Sequence, residues 1–330
     1  MLRPALLIAA AVTSQAHAFD LQGHRGARGL APENTLPAFA RALTIGVTTL
    51  ERDAGVTEDG VVVVAHDRRL NPDIARGPDG RWLVGRTRTI HELTFHELGR
   101  YDVGRLRPGS DYSKRFPEQR RMDGVRIPKL EEVFELARKA HNGEVRFNIE
   151  TKLSPLAPDE TAGPEAFARA LIQVVRANGV ERRTIIQSFD WRTLALVQRE
   201  APEIAVAYLT SDDENVRDVG GGPSPWTNGI RLADHGSVPK MVAAAAAAGP
   251  RGSAGAPIWS PNFRDLTEAL VKEAKGLGLA VLPWTVNEAA EMERLIDWGV
   301  DGIITDYPDR LRDVMAAKRL PLPKATPVTP

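Results

Sequence analysis

Val145-Arg146-Phe147-Asn148-Ile149-Glu150 reads as a short strand, and Pro164 to Ala177 downstream of it reads as a helix. A strand followed by a helix of this length is the unit from which parallel sheets are built. The same alternation continues on both sides. Strands are expected at Leu21–Gly26, Thr48–Asp53, Val61–Ala65, Thr184–Phe189, Ile204–Leu209, Ile258–Ser260, Leu279–Trp284 and Gly302–Thr305. Helices are expected at Thr35–Leu43, Leu130–Ala140, Trp191–Glu200, Lys240–Ala248, Leu266–Lys275, Ala289–Trp298 and Asp309–Ala317. About eight βα units favour a closed TIM-type (β/α)8 barrel, with the open doubly wound sheet as the alternative.

Two segments interrupt the pattern. Residues 68–127 are rich in Arg, Gly, Pro and Asp and are too long for an ordinary connection. They read as an insertion after the second strand, over one rim of the barrel and partly helical around Thr94 to Tyr101. The barrel domain then spans 19–318, and the Pro-rich tail 319–330 is expected to be disordered. At the other end, Arg3, an apolar run from Ala5 to Val12 and Ala16-His17-Ala18 describe a secretory signal cleaved after Ala18. The expected location is periplasmic or secreted.

Composition narrows the function. Of the 330 residues, 42% are hydrophobic, enough for a large core, and 43 basic residues balance 43 acidic ones. The zero net charge argues against nucleic acid as a partner, and no apolar run is long enough for stable membrane insertion. Oligomeric state is not encoded in such figures. The absence of cysteine excludes disulfides, thiolate metal sites and cysteine nucleophiles. Two apparent motifs fail. Gly80 to Thr87 has phosphate-loop spacing but carries Arg86 in place of the lysine, and no strand leads into it. His91 and His96 are five residues apart, so they lie on different helix faces and cannot share one metal; Thr94 and Glu97 make a capping box there instead.

One constellation remains. A βα barrel places its chemistry at the C-terminal ends of its strands. There the chain puts His24-Arg25-Gly26, Glu51-Arg52-Asp53, His66-Asp67 and Glu150-Thr151-Lys152. Side chains at i and i+2 of a strand share a face, so Glu51 converges with Asp53 and Glu150 with Lys152. Three carboxylates at one mouth need a cation, and an all-oxygen donor set suits Mg²⁺ or Ca²⁺. Arg25 and Lys152 suit a phosphate. His24 and His66 supply two imidazoles for taking and giving a proton. Taken singly, each element has a plainer reading: Glu51 and Asp53 as a solvated strand end, Glu150 and Lys152 as a same-face salt bridge, Asn34-Thr35 as a helix N-cap, Gly26 and Gly29 as turn residues. Their coincidence at successive strand ends is what points to a site.

The ordered set of motifs resembles the glycerophosphodiester phosphodiesterase family. It comprises Gly23-His24-Arg25-Gly26, Pro32-Glu33-Asn34-Thr35, Leu50-Glu51-Arg52-Asp53, Asp59-Gly60-Val61, Ala65-His66-Asp67, Asn148 to Lys152, Gln187-Ser188-Phe189, Pro283 to Asn287 and Gly299 to Pro308. The resemblance implies a βα barrel, one divalent cation held by Glu51, Asp53 and Glu150, and His24 with His66 as the acid–base pair. It also implies Arg25 and Lys152 near the phosphate and Trp284 in the substrate pocket, with Glu33, Asn34 and Gln187 as further candidates within the matched motifs. The expected reaction converts deacylated phospholipids, such as glycerophosphocholine or glycerophosphoethanolamine, to sn-glycerol 3-phosphate and an alcohol. Ala54 and Ala65 depart from the usual pattern, where a branched and an aromatic residue are common. The alternatives are a lysophospholipase D acting on longer lipids, with Trp82, Tyr101, Tyr112 and Phe116 of the insertion as an apolar lip, an exported solute-binding protein without turnover, and a structural or interaction module.

Overall fold

The computed structural model describes residues 19–212, 215–249 and 254–330. The signal expected over residues 1–18 lies outside the described residues. Among the described residues, nine strands form one sheet: β1 (Asp20–Gly23), β2 (Thr49–Val56), β3 (Val62–Val64), β4 (Arg146–Thr151), β5 (Thr184–Ser188), β6 (Ala205–Thr210), β7 (Ile258–Pro261), β8 (Ala280–Val281) and β9 (Gly302–Thr305). All but β3 run parallel, in the order β1-β2-β4-β5-β6-β7-β8, and β9 returns to pair with β1. The seam between β8 and β9 is irregular but bridged, since Asp301 N donates to Val281 O (3.0 Å) and Ile304 N to Pro283 O (3.0 Å). Sequential order around a nearly closed ring is the (β/α)8 barrel and removes the doubly wound alternative, whose strand order reverses partway.

Each parallel strand is followed by a long outer helix: Leu36–Ile45, Leu130–Lys139, Pro164–Ala177, Trp191–Glu200, Val238–Ala247, Glu268–Gly276, Ala289–Asp297 and Pro308–Ala317. Their apolar stripes cover the outward-facing strand residues, as when Phe167, Leu171 and Val175 bury one face of Pro164–Ala177. Full burial of each such side chain contributes about 2–3 kcal/mol. The regular part of β8 is shorter than the expected Leu279–Trp284. Beyond Val281 the backbone keeps bonding to β7 through Leu282 and Trp284, but Pro283 has no N–H to offer a ladder.

The barrel interior is divided. Ile185, Ala207, Ile258 and Leu282 fill one half with apolar side chains. In the other half Asn148 Nδ2 donates to Gln22 Oε1 (2.8 Å) and Gln187 Oε1 (3.0 Å), and Gln187 Nε2 donates to Glu51 Oε1 (2.8 Å). This amide ladder is a floor that fixes one Glu51 oxygen from below.

The insertion follows the β2–β3 hairpin and has its own small core of Leu70, Ile90, Leu93, Leu98, Val103 and Ile127, packed on Val63. The expected helix is present as Phe95–Leu98, opened by the Thr94/Glu97 capping box. The tail corrects an expectation. It lacks regular structure but is not loose. Thr326 N donates to Leu43 O (2.8 Å), Arg312 Nη1 donates to Pro323 O (2.6 Å), and Leu320 and Val328 pack on the core. Proline content prevents a helix there without preventing an extended strap from docking across the N-terminal end of the barrel.

Candidate active site

The loop after β1 is folded tightly onto the barrel mouth. Gly26 has φ +86°, and a Cβ there would lie 2.7 Å from the Ala38 backbone, so glycine is required. Arg25 and Asn34 take the same left-handed region (φ 49° and 56°) without being glycine. Such residues cost about 1 kcal/mol or more and persist where their surroundings hold them. Here Arg25 N donates to Glu51 Oε2 (2.8 Å), and Asn34 N donates to Arg25 O (3.0 Å).

Three carboxylates meet at the ends of β2 and β4. Register pairs Asp53 with Glu150 across the two strands. Glu51, Asp53 and Glu150 are buried, each offering an oxygen within 4.8 Å of the others. Lys152 Nζ donates to Glu150 Oε1 (2.6 Å), and Asn34 Nδ2 donates to Asp53 Oδ2 (2.8 Å). Crowding sets the charges. Burial, and then Asp53, push the Glu51 carboxyl well above its usual range. Burial also lifts Glu150 to about 7, against the pull of Lys152 and with a further push from Asp53. Burial acts the same way on Asp53, but Arg25, His66 and Lys152 together outweigh it and hold that carboxyl well below the carboxylate range. Two carboxyls that burial and the nearby Asp53 disfavour as anions, beside a third that stays ionised, form a donor set that a divalent cation would relieve.

Two histidines are each held by an aspartate. His24 Nδ1 lies 2.7 Å from Asp306 Oδ1, and His66 Nδ1 lies 2.9 Å from Asp67 Oδ1. In both, Nε2 remains as the nitrogen available for chemistry, with His24 Nε2 3.9 Å from Glu51 Oε2. Asp306 is bound further by Arg28 (Nε 2.7 Å, Nη2 3.0 Å) and by Asn287 Nδ2 (2.8 Å). Asn71 Nδ2 braces Asp67 at 2.7 Å. Burial, then Arg28, push His24 down to about 4, opposed by Asp306. Burial, then Arg25 and Lys152, push His66 well below its ordinary value. An anionic ligand between these groups would work the other way and favour imidazolium.

These groups open onto one cavity of about 630 Å³. His24, Arg25, Glu51, His66, Glu150, Lys152, Gln187 and Trp284, all expected from the sequence, line it. Asp53, Glu33 and Asn34 stand one layer back. Asp53 completes the oxygen cluster and Asn34 orients it, while Glu33 Oε1 accepts from Arg25 Nη1 (2.6 Å). The N-cap reading of Asn34-Thr35 divides: Thr35 caps the helix through Ala38 N, and Asn34 serves the site.

Several site residues were missed. Asp306 does stand at the end of the last strand, and Asp67 follows His66, so position alone could have flagged both. Arg28 and Trp226 carried no such signal, because only the folded loops bring them in. The insertion aromatics do not form the expected lip. Of the four, only Tyr112 lines the cavity, and Phe116 is buried beneath Arg28 (4.6 Å from the ring centre). The aromatic wall comes from the opposite side, where Phe189 and Trp284 meet edge to face at 5.5 Å beside Trp226.

A carboxylate cluster, two histidine–aspartate pairs and several cations at the C-terminal mouth of a (β/α)8 barrel define a barrel enzyme of the phosphodiester-hydrolase kind. Residues 24–310 match the model of the glycerophosphoryl diester phosphodiesterase family, and the chain belongs to that family. It is 30% identical over 291 residues to a glycerophosphodiester phosphodiesterase of Caldanaerobacter subterraneus, covering 87% of this chain and 94% of that one. A crystal structure from Silicibacter pomeroyi, assigned as a glycerophosphoryl diester phosphodiesterase, is 35% identical with a TM-score of 0.78, over 92% of this chain and 95% of that one. An Oleispira antarctica phosphodiesterase solved with the product sn-glycerol-3-phosphate shares the fold at 23% identity and TM-score 0.61, over 89% of this chain and 96% of that one.

Proposed function

We propose that this enzyme hydrolyses glycerophosphodiesters to sn-glycerol 3-phosphate and an alcohol, with Glu51, Asp53 and Glu150 holding one divalent cation and His24 and His66 exchanging protons with the substrate. The observation that carries the reading is the convergence of the oxygen cluster and both histidine–aspartate pairs on a single cavity. A bound Mg²⁺ or Ca²⁺ would supply positive charge to the phosphoryl oxygens and a grip on glycerol hydroxyls.

The chain's own groups divide the remaining work. Arg25 and Lys152 meet the negative charge that builds on the nonbridging oxygens as an oxygen nucleophile attacks, a fixed arrangement that needs no reorganisation. One imidazole Nε2 takes the proton from the attacking oxygen, and the other returns one to the departing alkoxide. Asp306 and Asp67 hold the rings so that Nδ1 carries a proton and Nε2 faces the chemistry. Trp284 and Phe189 form the apolar wall against the carbon skeleton.

The test is hydrolysis of glycerophosphocholine with Mg²⁺ and Ca²⁺ in turn. His24→Ala and His66→Ala should each lower kcat by at least about 10²-fold, the lower end for acid–base catalysis. Both variants folding and retaining near-normal turnover would remove the histidines from the reaction. We further propose export through residues 1–18, supported by the charged start, apolar run and Ala-His-Ala site. Fractionation of producing cells, with a mature N-terminus found at Phe19, is the expected result. Cytoplasmic protein retaining Met1 would contradict it.

A further inference from the structure

Among the described residues, five cationic side chains line the cavity: Arg25, Arg28, Arg68, Arg115 and Lys152. Four are matched by carboxylates. Arg25 lies 2.6 Å from Glu33, Arg28 2.7 Å from Asp306, Arg68 2.9 Å from Glu160 and Lys152 2.6 Å from Glu150. Arg115 alone has no acidic partner among the described residues. The one acid on its own short helix, Asp111, is taken by Lys114 at 2.7 Å.

Arg115 is exposed, but it stacks on two aromatic rings. Its guanidinium lies 4.7 Å from the Tyr112 ring centre and 5.9 Å from that of Phe116. Both rings are anchored. Tyr112 donates its hydroxyl to Glu33 Oε2 and accepts from Arg28 Nη1 (3.3 Å). Phe116 is buried and stacks on Arg28. The insertion thus carries an uncompensated cation on an anchored aromatic seat, at the wall of the cavity that holds the reactive groups. Stacking restrains the guanidinium while leaving its N–H fork free, the state suited to a bidentate anion.

We propose that Arg115 forms a second anion subsite, which selects diesters whose alcohol carries another phosphate. This rests on the phosphodiesterase reading above. The scissile phosphate already has Arg25, Lys152 and the cation site, so a further unpaired guanidinium on the insertion reads charge on the leaving group.

The experiment compares glycerophosphoglycerol with bis(glycerophospho)glycerol, which has the same linkage but a second phosphodiester. It uses the wild type, Arg115→Gln and Arg115→Lys, with melting curves to confirm folding. The wild type should favour the doubly charged substrate. Arg115→Gln should lose roughly fivefold to tenfold in kcat/KM on that substrate, mainly in KM, and stay within about twofold on the other. Arg115→Lys, which keeps charge but not the fork, should fall between. The wild-type preference should shrink with added salt. Equal losses on both substrates would place Arg115 at the scissile phosphate and overturn the subsite, as would no loss on either. A wild type that hydrolyses neither diester removes the phosphodiesterase reading itself, and the subsite with it.

Discussion

Replacing Asp306 with asparagine separates two duties that one carboxylate performs. Asp306 is almost fully buried and receives His24 Nδ1 at 2.7 Å, Arg28 through Nε (2.7 Å) and Nη2 (3.0 Å), and Asn287 Nδ2 at 2.8 Å. Arg28, with His24, holds this carboxyl far below its usual range despite burial, so it is ionised at every working pH. The Asp306→Asn side chain would keep the shape but lose the charge, and its amide N–H would face other donors. Two effects follow. Arg28 becomes a buried cation without its counter-ion, which costs about 3–5 kcal/mol of stability. His24 loses the acceptor that fixes its tautomer, which should lower kcat/KM by roughly 10²–10⁴-fold. The assay is choline release from glycerophosphocholine alongside denaturant unfolding. Adding Arg28→Gln to Asp306→Asn should recover part of the stability by removing the stranded charge, while leaving turnover low. Near wild-type turnover in the folded single variant would refute the claim that Asp306 orients His24. Recovery of turnover in the double variant would show that the loss came from misfolding alone.

Two more expectations follow from the same geometry. Glu150 has its carboxyl lifted from 4.5 to about 7, chiefly by burial, and Glu51 is lifted as well. Their protonation therefore stabilises the metal-free fold below about pH 4.5, and that contribution is lost as pH rises through about 7, while a cation competes with those same protons. The gain in Tm on adding Mg²⁺ or Ca²⁺ should accordingly grow from about pH 5 to about pH 8; a gain that is flat or shrinks over that window contradicts the three-carboxylate site. Removing residues 320–330 takes away the Thr326–Leu43 and Arg312–Pro323 bonds at the end of the barrel remote from the cavity, and should cost about 2 kcal/mol with kcat/KM unchanged. Unchanged stability would show that the strap is ornamental.

Much was legible before folding, for local reasons. Period-two alternation put Glu51 and Asp53 on one face and predicted that Glu150 and Lys152 would share another; both hold. Strand–helix alternation led to the barrel because each element's burial pattern is written in its own residues. The insertion announced itself by composition, although its aromatics did not reveal which way they would turn. Arg28 and Trp226 stayed hidden because nothing in a loop's sequence states which wall it will face.

Partnership, in contrast, was settled by the folded chain. His24 and Asp306 are 282 positions apart and meet because β9 closes against β1. Asp53 faces Glu150 because the β2–β4 register places them opposite each other. Asn34 turned from a helix cap into a brace for Asp53 when the first loop folded over the mouth. The tail, read as loose from its prolines, found an acceptor in the Leu43 carbonyl and a donor in the Arg312 guanidinium. Side-chain direction along a strand is a short-range property of the backbone, so residue order was enough to say which groups would point into the barrel. Which of them touch depends on closure, register and loop path, and those arise from packing across the whole molecule.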